Sequence, residues 1–242
     1  MINPDTRTYN ARLFKKGNLR SWLHNLRFEW FARTVRRLDP RPLRIIELGC
    51  FDGRLLDFCP SGLEHYEGFD ADWEGGLSAA QQTWGDNPTH RFTKATIPSD
   101  LAHLKDDAFT VAVALETLEH IPPDLVDAYL AELSRVTNGH LIVSVPNEKG
   151  LVFLAKYIAK RLFVGAGESY TPQEVLWAIL GRSERIPRND HKGFDYALLA
   201  SQIGRHFNIV AMRGLPIGWL PSLSFTVTIL ARSRKSRGSD AR

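Results

Sequence analysis

The sequence has only two cysteines, Cys50 and Cys59, in 242 residues. So few cysteines do not form a disulfide framework, which favours a reducing compartment such as the cytosol. The chain lacks an apolar run of membrane-spanning length. Its start, MINPDTRTYN, also lacks the charged and then apolar layout of a secretory signal. Composition therefore predicts a soluble cytoplasmic protein, in contact with a membrane at most peripherally.

Acidic residues are scarce near both ends. Between Arg12 and Arg37 there are eight Lys or Arg residues and one acid, Glu29. The tail RSRKSRGSDAR adds five basic residues against Asp240. Basic segments attract anionic lipid, nucleic acid or phosphorylated substrates, or they simply face solvent. Both interpretations stay open, although we do not expect nucleic acid as a partner.

Short apolar segments alternate with amphipathic ones along the first two thirds of the chain. The predicted strands are LRIIELG, HYEGFD, HRFTKA, FTVAVAL and GHLIVSVPN. Helices are predicted after Asp52, in GGLSAAQQTWG and in PPDLVDAYLAELSRVT. Such alternation indicates βαβ units and a parallel sheet covered on both faces. Two further strands, NIVAMRG and SFTVTILAR, are joined by too short a link for a helical crossover, so we expect them to pair antiparallel.

We expect one domain over residues 1–242, with N-terminal helices at about 10–40 and a basic disordered tail at about 233–242. Residues 147–190 interrupt the alternation and are predicted to be a helical lid insertion. Apolar residues at 151, 154, 155, 158, 159 and 162 form one helical stripe beside Lys156, Lys160 and Arg161. This helix could cover the substrate opening, pack on its own domain, or lie on an anionic membrane surface.

The stretch ELGCFDG predicts a ligand-binding turn at the end of the first strand. Gly49 and Gly53 allow a ligand close to the backbone, and Asp70 follows Gly49 by 21 residues, at the end of the second strand. A carboxylate there suits the two hydroxyls of a ribose, which indicates a nucleoside-bearing cofactor. The turn lacks the G-x-G-x-x-G pattern of dinucleotide enzymes, and Tyr157 and Lys160 are three rather than four apart, so an oxidoreductase is disfavoured.

Four motifs in order, ELGCFDG, GFDAD, VALETLEHIPP and VPN, resemble a class I SAM-dependent methyltransferase. More narrowly, the chain is similar to ubiquinone-type O-methyltransferases and to methyltransferases found with glycan-assembly enzymes. The resemblance covers residues 20–232. It implies S-adenosyl-L-methionine as cofactor and an α/β fold, a Rossmann-like doubly wound sheet of seven strands with the last strand antiparallel.

The resemblance also implies cofactor-binding residues. Glu47, Gly49 and Gly53 would frame the methionine moiety, with Phe51 in place of a middle glycine, so that the turn must tolerate a side chain there. Asp70 would hold the ribose. The remaining residues with implied contacts are Ala71 and Thr96 beside the adenine, Leu115 and Glu116 on the inner side, and Arg27 at the methionine carboxylate.

The cluster ETLEH supplies candidate catalytic groups. Glu116, Glu119 and His120 are spaced i, i+3 and i+4, so one helical turn would place them on one face. His120 is a candidate base for a hydroxyl proton, and His191 in NDHKGFD is another candidate or a substrate-orienting residue. Glu116, Glu119 and His120, with His191 as a fourth ligand, are also a plausible divalent-metal set. The resemblance supports a metal, because small-RNA 2′-hydroxyl methyltransferases use a similar acid-acid-histidine cluster with a further histidine. We nevertheless favour catalysis without a tightly held metal.

Taken together, the resemblance and the amphipathic insertion predict O-methylation of a sugar in a surface polysaccharide or its lipid-linked precursor. SVPNEKG and NDHKGFD carry the comparison with glycan-associated enzymes. The alternatives are a quinone or natural-product O-methyltransferase, a metal-dependent RNA 2′-O-methyltransferase, and a non-catalytic SAM-binding scaffold.

Overall fold

The computed structural model describes residues 19–73, 75–163, 170–189 and 191–235. The start of the predicted N-terminal helices and most of the predicted basic tail lie outside these ranges. Helix α1 spans Leu19–Leu38 and precedes the first strand. Among the described residues, no helix is both long and apolar enough to cross a membrane.

The sheet formed by the described residues has seven strands. They are β1 Leu43–Leu48, β2 Leu63–Asp70, β3 His90–Lys94, β4 Phe109–Leu115, β5 Thr137–Pro146, β6 Phe207–Leu215 and β7 Thr226–Ser233. Their order across the sheet is β3-β2-β1-β4-β5-β7-β6. The first five strands pair in parallel, and β7 pairs antiparallel with β5 and β6. The predicted Rossmann-like sheet and its antiparallel last strand are confirmed.

Five further α-helices connect the strands in the described part of the chain. They are α2 Gly76–Trp84, α3 Pro123–Val136, α4 Gly150–Phe163, α5 Pro172–Ile179 and α6 Tyr196–His206. Apolar side chains of α3 and α6 cover one face of the sheet, and those of α1 and α2 cover the other. Strands buried on both faces have few polar positions, as the apolar sequence of β4 shows.

The helix predicted directly after Asp52 is wrong. The chain forms only a short 3-10 turn, Arg54–Phe58, before Cys59 becomes extended. Pro60 follows, and β2 begins at Leu63, so few residues remain for a helix between β1 and β2. The first turn therefore has no α-helix N-terminus with which to bind a ligand, and its binding groups must be backbone amides and side chains of the turn itself.

The apolar stripe of the insertion does not face the domain. Leu151, Ile158 and Leu162 of α4 are exposed, whereas Val152 and Phe153 on the other side are buried. Phe153 packs with Ala178 and Ile186 in a small satellite core. Packing on its own domain therefore involves Val152 and Phe153, whereas Leu151, Ile158 and Leu162 of the stripe take no part in it. Whether the insertion acts as a lid stays a prediction.

Candidate active site

The turn after β1 has left-handed backbone at three positions. Gly49, Phe51 and Gly53 have φ values of +78°, +46° and +74°. A Cβ added at Gly49 would lie 2.2 Å from Thr117 Oγ1, so only glycine fits there. Phe51 accommodates its side chain in a region that bulky residues rarely occupy, which stores strain at this turn.

Asp70 ends β2 beside that turn. Its Oδ2 accepts a hydrogen bond from the Phe51 amide at 3.0 Å, and its Oδ1 accepts one from the Asp72 amide at 2.7 Å. A carboxylate oxygen can accept about two hydrogen bonds, so each oxygen keeps capacity for a ligand hydroxyl. The backbone thus fixes this carboxylate in an orientation that suits two neighbouring hydroxyls.

Glu47, near the end of β1, is buried and accepts a 2.5 Å hydrogen bond from the Tyr66 hydroxyl. Burial raises the pKa of Glu47 to about 8, although this hydrogen bond opposes the shift. The negative charges of Asp52 and Asp70 raise the pKa further, and the Arg27 guanidinium lowers it. A ligand cation placed beside Glu47 would favour its ionised form, because opposite charges stabilise each other.

A single cavity of about 610 Å³ joins these groups at the carboxyl ends of the strands. Helix α1 forms its cationic wall. Arg27 Nη1 lies 2.9 Å from His24 Nδ1, and Arg27 Nε is buried without a hydrogen-bond partner in the described residues. Arg54 adds a second guanidinium to the lining. With acids at the strand ends and arginines opposite, the cavity suits a ligand that carries both an ammonium and a carboxylate group.

The segment after β4 brings acidic groups to the other end of the cavity. Glu116 has a φ of +54°, and its amide donates to the Ser144 carbonyl at 2.8 Å. Both carboxylate oxygens of Glu119 are buried and without a hydrogen-bond partner in the described residues. Burial, and then the neighbouring charge of Glu116, raises the pKa of Glu119 well above its ordinary value. His120 Nε2 lies 3.9 Å from Glu119 Oε1.

His191 reaches the same place from the loop before α6. Its ring centroid lies 4.6 Å from that of His120, at an interplanar angle of 78°. One ligand atom from each of Glu119, His120 and His191 lies within 4.8 Å of the others. Among the described residues, Glu116 is outside this cluster, although the sequence suggests it as a ligand. The cluster could bind a divalent cation or move a proton.

Two contacts hold the His191 loop in place. The guanidinium of Arg188 donates from Nη2 to the backbone carbonyl of Glu119. Lys192 Nζ pairs with Glu174 Oε2 of α5 at 2.9 Å. Gly193 has a φ of +72°, and a Cβ there would lie 2.7 Å from the Ile186 carbonyl oxygen. The position of His191 thus depends on the path that the chain takes from the insertion to α6.

A family model described as a methyltransferase domain matches residues 20–212, which is most of the chain. The chain belongs to this methyltransferase family. A search of curated proteins finds none with a matching sequence. The prediction of a class I methyltransferase is confirmed by the family and by the fold, while the ubiquinone-type and glycan-associated subtypes stay predictions.

Solved structures with the same fold are distant in sequence. The magnesium protoporphyrin IX methyltransferase of Synechocystis PCC 6803, solved with bound SAH, has 17% identity and a TM-score of 0.61, over 96% of this chain and 95% of that one. The PH0226 protein of Pyrococcus horikoshii OT3 has 13% identity and a TM-score of 0.63, over 97% and 100%. The methyltransferase domain of bacterial CtHen1-CN has 15% identity and a TM-score of 0.55, over 87% and 99%. The bound SAH of the first agrees with the predicted cofactor.

The methyltransferase cavity brings together nearly all the residues that the sequence singles out. Its lining includes Arg27, Glu47, Gly49, Phe51, Asp70, Ala71, Thr96, Leu115, Glu116, Glu119, His120 and His191. Gly53 is outside this lining. A Cβ at Gly53 would lie 2.8 Å from Trp84 Cδ1 and 3.1 Å from Phe92 Cε1, so this glycine permits close packing beneath the turn. The functional roles of the lining residues stay predictions.

Sequence reasoning missed several lining residues of the methyltransferase. Trp73 lines the cavity and is 74% exposed, so an adenine ring could stack on it. His24 and Arg54 also line the cavity. Trp73 could have been identified from the sequence, because it follows Asp70 by only three residues and so lies just beyond the end of β2. Arg54 directly follows Gly53 in the motif and could have been considered for the same reason.

Proposed function

We propose that this methyltransferase uses S-adenosyl-L-methionine to methylate a hydroxyl oxygen. One observation carries the proposal: a single cavity of about 610 Å³ is lined by Asp70 at the end of β2 and by the Glu119, His120 and His191 cluster beyond β4, and β1 lies between these two strands. Asp70 suits ribose hydroxyls, and the cluster can take a proton from an acceptor. S-adenosyl-L-methionine supplies an electrophilic methyl group when bound.

At the cofactor end, Asp70 binds the ribose hydroxyls with oxygens that Phe51 and Asp72 already orient. Arg27 binds the amino-acid carboxylate, and Glu47 stabilises the ammonium group. These contacts align the methyl group with the acceptor, and alignment is a large share of the work in a displacement at carbon. The raised pKa of Glu47 means that binding of the cation ionises this acid and releases a proton.

At the acceptor end, His120 accepts the proton of the attacking hydroxyl. Glu119 Oε1 lies 3.9 Å from its Nε2. The imidazolium that forms favours the ionised form of Glu119 and is stabilised by it, against the burial that raises the pKa of this acid. His191, in edge contact with His120, orients the imidazole and the acceptor. The acceptor we propose is a sugar of a surface polysaccharide or its lipid-linked precursor, and the similarity of SVPNEKG and NDHKGFD to glycan-associated enzymes supports it. We also propose that the protein carries out this reaction in the cytoplasm.

The test is methyl transfer from labelled S-adenosyl-L-methionine to lipid-linked glycans, free sugars, quinols and RNA. We expect transfer to a sugar hydroxyl. His120→Ala should lower turnover about 100-fold or more and leave SAH affinity unchanged, since a base acts in the chemical step. His103→Ala, which removes an exposed histidine outside the cavity, is the matched control. Full activity of His120→Ala excludes His120 as the base, and SAH binding without transfer to any acceptor indicates a non-catalytic scaffold.

A second candidate mechanism uses a divalent cation. The two buried oxygens of Glu119 without partners favour it, because a carboxylate in that state is stabilised by a cation. Glu119, His120 and His191 would hold the metal, which would lower the pKa of the acceptor hydroxyl. Calorimetric titration with Mn²⁺ or Zn²⁺ separates the mechanisms. Micromolar binding that Glu119→Gln abolishes supports the metal, and full transfer activity in EDTA excludes it.

A further inference from the structure

Helix α4 exposes one apolar side to solvent. Leu151, Ile158 and Leu162 are 65%, 48% and 73% exposed, and their spacing of seven and four residues places them on one side of the helix. The opposite side makes the contacts with the domain, through buried Val152 and Phe153. Packing within the described residues therefore does not account for the outer side.

The connection between β6 and β7 adds to this surface. Its 3-10 turn Pro221–Leu223 packs against α4, and Lys156 Nζ of α4 donates to the Phe225 carbonyl at 3.3 Å. The connection exposes Trp219 at 79%, together with Leu223 at 44% and Phe225 at 41%. We call the exposed apolar side chains of these two elements the α4 surface, formed by Leu151, Ile158, Leu162, Trp219, Leu223 and Phe225.

The charged residues within the two elements of the α4 surface are basic. Helix α4 contains Lys156, Lys160 and Arg161 and no acid, and residues 216–225 contain no charged residue. Lys160 and Arg161 are exposed directly before Leu162. Apolar side chains with a tryptophan and a basic rim are typical of segments that lie in the interface of an anionic bilayer. Lys156 pairs with Glu148 at 3.0 Å, so the net positive charge of this rim comes from Lys160 and Arg161. That charge matches the negative potential of such a bilayer.

The α4 surface also lies at the functional edge of the sheet. Helix α4 follows the carboxyl end of β5, and the exposed connection follows the carboxyl end of β6, which runs parallel to β1–β5. The cavity opens at the carboxyl ends of β1, β2 and β4. We propose that the α4 surface docks on an anionic lipid bilayer, which would place the cavity near the membrane. This inference goes beyond the proposed reaction and does not depend on which acceptor is methylated.

The experiment is vesicle flotation of the full chain. Vesicles of phosphatidylcholine with phosphatidylglycerol are compared with vesicles of phosphatidylcholine alone. We expect binding to the anionic vesicles that falls as salt is raised, since salt screens the basic rim. The double variant Ile158→Ser with Leu162→Ser should weaken this binding at least about tenfold, because it removes exposed apolar area from the contact. Leu198→Ser on α6, at a residue 64% exposed, is the matched control and should bind like the unmodified chain.

Tryptophan fluorescence gives a second measurement. Trp219 should move from water to lipid, so anionic vesicles should shift the emission to shorter wavelength, and Trp219→Phe should lose most of that shift. SAH affinity and the unfolding midpoint should be the same for all variants, which separates loss of docking from loss of folding or of the proposed reaction.

Four outcomes overturn the proposal. The first is no flotation with anionic vesicles, and the second is equal binding to neutral vesicles. The third is a concentration-dependent dimer in analytical ultracentrifugation that the Ile158→Ser and Leu162→Ser double variant abolishes, because a second copy would then occupy the α4 surface. Equal weakening by Leu198→Ser also contradicts it.

Discussion

The two ends of the cavity differ in how their residues are held. At the cofactor end, backbone amides hold Asp70, and left-handed glycine backbone holds the turn. At the acceptor end, Glu119 has no hydrogen-bond partner for its carboxylate in the described residues, and His191 comes from a distant loop. The comparison indicates that the Asp70 turn is preformed, whereas a ligand would supply partners to the Glu119 carboxylate and, at the cofactor end, to Arg27 Nε.

The largest effect is expected at Asp70. Asp70→Ala should weaken SAH binding about 100-fold or more, because two hydrogen bonds from ribose hydroxyls to a charged group are lost. Isothermal titration calorimetry measures the change. Asp86→Ala, which removes an exposed acid beyond α2, should leave the affinity unchanged. An Asp70→Ala affinity equal to that of the control would contradict the ribose assignment and the preformed Asp70 turn.

A smaller effect is expected when a side chain is added to the turn. Gly49→Ala and Gly75→Ala both place Ala at positive φ, +78° and +72°, but only the first would approach Thr117. The strain costs each about 1–2 kcal/mol. The clash should cost Gly49→Ala about 2 kcal/mol more in the free energy of unfolding, measured with urea. Equal losses would show that Thr117 moves away easily and that the turn is not rigid.

The pH dependence of stability tests Glu47. Its folded-state pKa is raised from 4.5 to about 8, so the folded chain keeps a proton that the unfolded chain loses in that window. The contribution of Glu47 to stability is therefore fully present below pH about 4.5 and falls toward pH about 8, by up to about 1.4 kcal/mol per pH unit. Burial shifts the pKa of Glu119 in the same direction, so Glu47→Gln should remove only part of the slope.

Urea unfolding at pH 5, 6, 7 and 8 measures this slope, with Glu64→Gln, an exposed acid of β2, as the control. An unchanged slope in Glu47→Gln would mean that Glu47 is ionised in the empty cavity. The two ends of the cavity would then differ less than their hydrogen-bond partners indicate.

The smallest effect on stability is expected at His191. Its Nδ1 is buried without a partner in the described residues, so His191→Ala should change the free energy of unfolding by less than about 0.5 kcal/mol. SAH affinity should also be unchanged. Arg188→Ala, which removes the hydrogen bond to the Glu119 carbonyl, should cost about 1 kcal/mol. A loss above about 2 kcal/mol in His191→Ala would make this residue structural.

The cofactor end could be predicted from the sequence because its geometry is local to strand ends. Parallel pairing of β1 with β2 places Gly49 and Phe51 beside Asp70 once the two strands are identified. Glu116, Glu119 and His120 follow β4 directly, so they also reach the same edge. These relations depend on short stretches of sequence and on the fact that the carboxyl ends of parallel strands meet at one edge of the sheet.

Other features could not be predicted because they depend on the path of the chain. The residue types suggest His191 as a fourth ligand beside His120, but the sequence does not fix their contact, because it requires the return from the insertion, where no periodicity sets the direction. The outward stripe of α4 could not be predicted either, because periodicity identifies an apolar side without saying what covers it. The short 3-10 turn at Arg54–Phe58 replaced a predicted helix because Pro60 and the start of β2 leave little room.

The most direct test of the account is calorimetric titration of the full chain with SAH, repeated with NAD and with added divalent metal. We predict micromolar binding of SAH, unchanged by metal, and no binding of NAD, since Asp70 suits a ribose while Arg27 and Glu47 suit the amino-acid group that only SAH carries. Binding of NAD alone, or of neither ligand, would contradict the assignment of the cavity to S-adenosyl-L-methionine.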